Sequence, residues 1–235
     1  MIQRDAAPTR SRDLFSDADL QREFEAVQRQ LTEALDELQP PLSELVRSQL
    51  AESLSPQRVG VILAASVGRQ DTPLLCKQRV LLAAALEMLR LALVIHKLLL
   101  RREWGGGQED DRSWMGSVIL AGDYCFSRSA VLAAQTDEPQ VVAIFARALQ
   151  TVSEGHLRRL FEAEAGPFGE DEEVVDAGLL AATVLASETS DEATKTIALG
   201  QELLRSGRLA PEEVTFQRRR WQAVQEFIAA TNTPL

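Results

Sequence analysis

Long stretches with an apolar residue every three or four positions alternate with short breaks of Ser, Pro and Gly, the pattern of amphipathic helices. Residues 17–38 follow Ser16, an N-cap with Asp19 three positions on, and set Leu20, Phe24, Val27, Leu31, Leu35 and Leu38 on one stripe. Pro40 and Pro41 end that segment and open a second helix over 42–53. Ser55 followed by Pro56 places proline at a first helical position and launches a third helix toward Gly68. Residues 73–104 are apolar around most of the helix circumference, so this segment is predicted to lie inside a bundle and to stop at Gly105, Gly106 and Gly107. Further helices are predicted over 113–134, 139–165, 171–187, 191–205 and 211–230. No linker of domain-boundary length and no solenoid repeat interrupts them. The expectation is an all-α fold, a single-domain helical bundle over 16–235 behind a disordered leader, 1–15, in which Arg and Asp alternate without an apolar core.

Composition narrows the function classes. Ala and Leu dominate and aromatics make up only 5% of the 235 residues, as in packed helices. Lys and Arg number 25 against 35 acids, a net charge of -10, which is poorly suited to gripping a nucleic-acid backbone. Two cysteines, Cys76 and Cys125, are too few for a disulfide framework and fit a reducing, cytoplasmic location. Residues 80–100 are long enough to span a bilayer, but Glu87, Arg90, His96 and Lys97 interrupt them, so no transmembrane segment is expected.

No familiar reactive pattern stands out. His96 and His156 have no zinc-ligand spacing, and no G-x-S-x-G elbow occurs. The triple glycine follows a helix and lacks a phosphate-loop ending. Asp110 and Asp111 begin a carboxylate cluster, but Trp114 stands where its third acid is needed. Glu172, Glu173 and Asp176 have the right spacing, yet they open a helix, where acids complement the dipole in any case. Arg218, Arg219 and Arg220 read as a solvated face or a partner contact. No catalytic, cofactor-binding or metal-binding residue is predicted.

The segment 117–130, with its aliphatic run, Gly122-Asp123, Tyr124, Phe126 and Ser127-Arg128, resembles the polyprenyl synthetases, the trans-isoprenyl diphosphate synthases. Glu154-Gly155-His156-Leu157 is similar to that family's Gly-Glu-Leu element, and 81–88 with Ile95-His96 resembles the helix that delivers its first aspartate-rich motif. The resemblance implies the isoprenoid synthase fold, shortened at the C-terminus. It also implies a reaction in which Mg²⁺ held by two aspartate-rich motifs stabilises a departing diphosphate. Those motifs are missing here. After His96 the chain reads Lys97-Leu98, and of the family's Gly-Lys-Arg-x-Arg-Pro signature at most Arg58 survives. The family's Lys-Thr pair falls near Gly178-Leu179-Leu180, and no F-Q-x-x-D-D follows Gly200.

The resemblance therefore implies a non-catalytic, regulatory subunit of a heteromeric prenyl diphosphate synthase. It would be a homodimer or a heterodimer with a catalytic prenyl synthase, built through 113–134 and 139–154. Gly122, Asp123, Tyr124, Phe126, Ser127 and Val131 are the interface candidates. One alternative is an isoprenoid or lipid ligand in the emptied cavity, walled by Leu89, Leu93 and His96. Another is a divergent Mg²⁺-dependent prenyltransferase using Asp110, Asp111 and the 172–176 acids.

Overall fold

The computed structural model describes residues 10–11, 15–101, 108–161, 169–209 and 218–231. Among these are nine α-helices: α1 (Asp17–Asp36), α2 (Leu42–Ser53), α3 (Pro56–Ala65), α4 (Pro73–Arg101), α5 (Gln108–Ala134), α6 (Pro139–Phe161), α7 (Glu170–Leu185), α8 (Ser190–Ser206) and α9 (Arg218–Thr231). The remaining pairing is one short antiparallel ribbon, β1 (Arg10–Ser11) against β2 (Gln70–Asp71). The fold is all-α, as the periodicity predicts. Within the stretch expected to be a leader, Arg10 and Ser11 take part in the ribbon and Phe15 is buried in the core.

Local sequence explains most helix ends. Ser16 and Asp19 form a reciprocal capping box, and Thr189 and Glu192 form another at the start of α8. Ser55 caps α3 through the Arg58 backbone N–H, with Pro56 at the first turn. Gly207 ends α8 with φ 71°, a left-handed conformation that costs glycine nothing. Helix α5 starts at Gln108, ahead of the predicted 113, because Glu109, Asp110 and Asp111 suit a first helical turn. The triple glycine lies outside the described residues.

Helix α4 is the axis of the bundle. It packs most extensively on α5 and also meets α7, α1, α2 and α3. Its Leu81, Leu82, Ala83, Ala84, Ala85, Leu86 and Met88 are all buried, which accounts for an apolar run unbroken by helical periodicity. Close approach is built in at Gly178 of α7, where a Cβ would meet Leu86 Cδ2 at 2.7 Å. Among the described residues no helix is long and apolar enough to cross a membrane.

The α8 cap yields a pH prediction. Glu192 accepts from the Thr189 backbone N–H at 3.0 Å and from Arg69 at 3.0 Å, and these bonds, the backbone one first, hold its carboxyl down at about 2. A depressed folded-state value gives stability that is present above 4.5 and lost as the pH falls toward 2. Glu192→Gln is expected to flatten that acid slope, by a small amount because the group is exposed. Urea unfolding across the window measures it.

Candidate functional site

The positions that the sequence comparison singles out gather where the ends of α4, α6 and α7 meet the start of α3. Arg58 of α3 is buried and forms a two-pronged pair with Glu87 of α4, Nε to Oε1 and Nη2 to Oε2 both at 2.6 Å, and it also donates to the Ser53 carbonyl. Lys97 of α4 places Nζ 3.2 Å from Oε2 of Glu170, the first residue of α7. The same oxygen lies 2.9 Å from Nε2 of His156 on α6. Glu170 is 6% exposed, and its other oxygen, Oε1, is buried without a hydrogen-bond partner. Arg90 faces Asp171 at 3.4 Å.

Beside this corner a cavity of about 490 Å³ opens between α3, α7 and α8, lined by Gln57, Arg58, Asp171, Glu172, Asp176 and Arg205 among others. Its cations are already engaged: Arg58 by Glu87, Arg205 by Glu202. Asp176 accepts from Gln201 at 2.7 Å. Three carboxylates, Asp171, Glu172 and Asp176, share this wall with the two guanidinium groups, so its charge is mixed and weighted toward negative. Glu172 and Asp176 thus line a cleft, whereas the side chains of Asp110 and Asp111 lie outside the described residues.

One set of potential metal ligands converges among the described residues, and it is elsewhere. Glu23, Asp71 and Cys76 bring their ligand atoms within 4.8 Å of one another. The Arg79 guanidinium fills that space. It pairs with both carboxylates, with Nε to Glu23 at 2.6 Å and Nη2 to Asp71 at 2.8 Å, and Nη2 lies 3.2 Å from the Cys76 sulfur. Phe15 covers the guanidinium at 5.4 Å. Burial opposes the charge on Arg79, but the bonds from Asp71 and Glu23 outweigh it and raise its pKa. Burial pushes the Cys76 thiol up to about 11 and Cys125 up to about 12, which suits neither as a thiolate ligand or nucleophile.

The interface candidates divide. Asp123, Ser127 and Val131 stand on the open side of α5. Gly122 faces inward, where a Cβ would overlap the His96 ring, and the Tyr124 hydroxyl donates to the Ala34 carbonyl of α1. Phe126 packs partly against the core. Around the outward candidates, Ile119 and Leu120 of α5 and Val142, Leu157 and Phe161 of α6 are exposed. Of eight large apolar side chains exposed among the described residues, six lie on these two helices.

The cavity candidates are placed otherwise. Leu89 is buried in the core, Leu93 packs at its margin, and His96 is partly exposed with Nε2 3.4 Å from Asp123. The described cavities, the one above and two grooves along α6–α7 and α1–α2, are lined by other residues. Arg220 is a correction to the sequence reading. It is 1% exposed and donates to the Val67 carbonyl, Thr196 and Glu188, because it shares a helix face with Val224 and Phe227.

No protein-family model and no curated protein sequence matches the chain. Solved structures do match. A decaprenyl diphosphate synthase from Rhodobacter capsulatus aligns at TM-score 0.58 and 18% identity, over 90% of this chain and 84% of that one. A geranylgeranyl pyrophosphate synthase from Corynebacterium glutamicum, complexed with calcium and isoprenyl diphosphate, aligns at 0.61 and 17%, over 79% and 60%. The geranylgeranyl pyrophosphate synthetase of Pyrococcus horikoshii Ot3 aligns at 0.58 and 20%, over 80% and 62%. At these identities the likeness establishes the fold, which is that of the trans-isoprenyl diphosphate synthases.

Proposed function

We propose that this protein is a non-catalytic member of the isoprenoid-synthase fold that acts as a regulatory subunit, pairing through α5 and α6 with a catalytic prenyl diphosphate synthase. The concentration of exposed apolar side chains on those helices carries the reading: Ile119, Leu120 and Val131 on α5 and Val142, Leu157 and Phe161 on α6, with Leu157 and Phe161 one turn apart on the side of α6 opposite its buried residues. Loss of catalysis follows from charge. A diphosphate and its Mg²⁺ need facing carboxylates and free cations, whereas here Lys97 replaces the first acid, and Arg58 and Lys97 are each neutralised within the chain.

Affinity purification from the native source is expected to recover a larger prenyl synthase with this chain, and Leu120→Asp to weaken the complex about tenfold or more by placing a charge in an apolar contact. The purified chain alone is expected not to condense isopentenyl diphosphate with an allylic primer in Mg²⁺. Recovery only as a lone monomer, or turnover by the isolated chain, rejects the reading.

A further inference from the structure

The Lys97, Glu170 and His156 cluster has a role that the absence of catalysis does not by itself require. Its members come from the C-terminal part of α4, the first residue of α7 and the C-terminal part of α6, so one buried carboxylate oxygen holds three helices at a single point. Glu170 Oε2 receives both contacts, from Nζ at 3.2 Å and Nε2 at 2.9 Å, while the carboxylate as a whole is 6% exposed. A buried carboxylate is costly unless a cation compensates it, so the α7 start can dock in this position only because Lys97 is there. Lys97 and His156 remain about a third exposed, so solvent reaches both of these side chains but hardly reaches the acid.

We infer that Lys97, Glu170 and His156 form an internal ionic lock that fixes the N-terminus of α7 against α4 and α6 without any bound divalent ion or anion. This rests on the non-catalytic reading and deepens it: the ammonium group at this corner is supplied by α4 itself, tethered to the fold 3.2 Å from Glu170. The corner is therefore in one fixed state, whether or not Mg²⁺ or a diphosphate is present. The orphaned Glu170 Oε1 marks the lock as held from one side only, which makes it sensitive to loss of either donor.

Hydrogen exchange on the full chain tests the lock. In Lys97→Met the amides of the first turns of α7 are expected to exchange about tenfold faster or more, with α3 and α9 unchanged, and Lys97→Arg is expected to restore protection. Glu170→Gln, which keeps shape and loses charge, gives the same local loosening. Wild-type protection at α7 is expected to be the same in EDTA and in Mg²⁺ with inorganic pyrophosphate. Unchanged α7 exchange in both Lys97→Met and Glu170→Gln overturns the lock, and leaves the non-catalytic reading standing. Wild-type α7 protection that appears only with Mg²⁺ and pyrophosphate overturns the lock, and binding of that pair measured by calorimetry overturns the non-catalytic reading as well.

Discussion

Replacing Arg79 with methionine is expected to cost about 3–5 kcal/mol of folding free energy. The side chain is 0% exposed and sits between Glu23 of α1 and Asp71 of β2, so its loss leaves two carboxylates facing one another in a dry site. The penalty is expected to depend on pH, in a direction that can be worked out. Burial, the largest influence, raises the folded-state pKa of Glu23 above 4.5, and the bond and charge of Arg79 hold it back. A raised folded value means that the group favours the folded state most below 4.5, and that this contribution is lost as pH rises through the folded value. Without Arg79 the folded value rises further, because both influences that lower it disappear. The deficit of Arg79→Met is therefore small in acid and full at neutral pH. Urea unfolding of both proteins at about pH 4.5 and about pH 7.5 checks it, and an equal deficit at the two would remove the electrostatic account. Adding Glu23→Gln and Asp71→Asn to the variant is expected to recover much of the loss.

That cluster also marks where sequence reasoning stopped. The α1 stripe, the Ser16 box, the Ser55-Pro56 start of α3 and the all-round apolar character of α4 are local signals, and they placed those helices within a few residues. Lys97 after His96, where the resemblance implies an acid, was equally visible, because it depends on one position in one helix. Its consequence was not. Glu170 lies far from Lys97 along the chain and stands just ahead of the helix start predicted at 171, and nothing in a Glu at a helix start reveals that the fold turns it inward. Glu23 and Arg79 are separated in the same way. Arg220 could have been found: it recurs at helical spacing with Val224 and Phe227, and a basic residue on an apolar stripe signals a buried partner. The outward side of α5 was only partly legible because three of the six candidates lie on α5 but pack on their own chain.

The Arg58–Glu87 pair carries the second large effect, because two buried charges meet there. Both side chains are nearly buried, 9% and 3% exposed, and two bonds of 2.6 Å join them. Glu87→Ala removes the acid and strands a guanidinium with only the Ser53 carbonyl left to it, at an expected cost of about 3–5 kcal/mol. Arg58→Met with Glu87→Leu removes both charges and fills the space with apolar atoms, so it is expected to recover most of that loss, as buried pairs exchanged for packed side chains commonly do. The double-mutant cycle, read by chemical denaturation, gives the coupling directly. A functional readout separates a structural arginine from an anion-binding one. If Arg58 serves the fold alone, the double variant leaves pyrophosphate affinity where it was, at or near zero in calorimetry. If wild type binds pyrophosphate and Arg58→Met abolishes it, the guanidinium is shared with a ligand and the cavity lined by Arg58, Asp171 and Asp176 is still an anion site. The geometry favours the first outcome, because both prongs of the guanidinium face are spent on Glu87 and the carboxylates beside them oppose a second negative group.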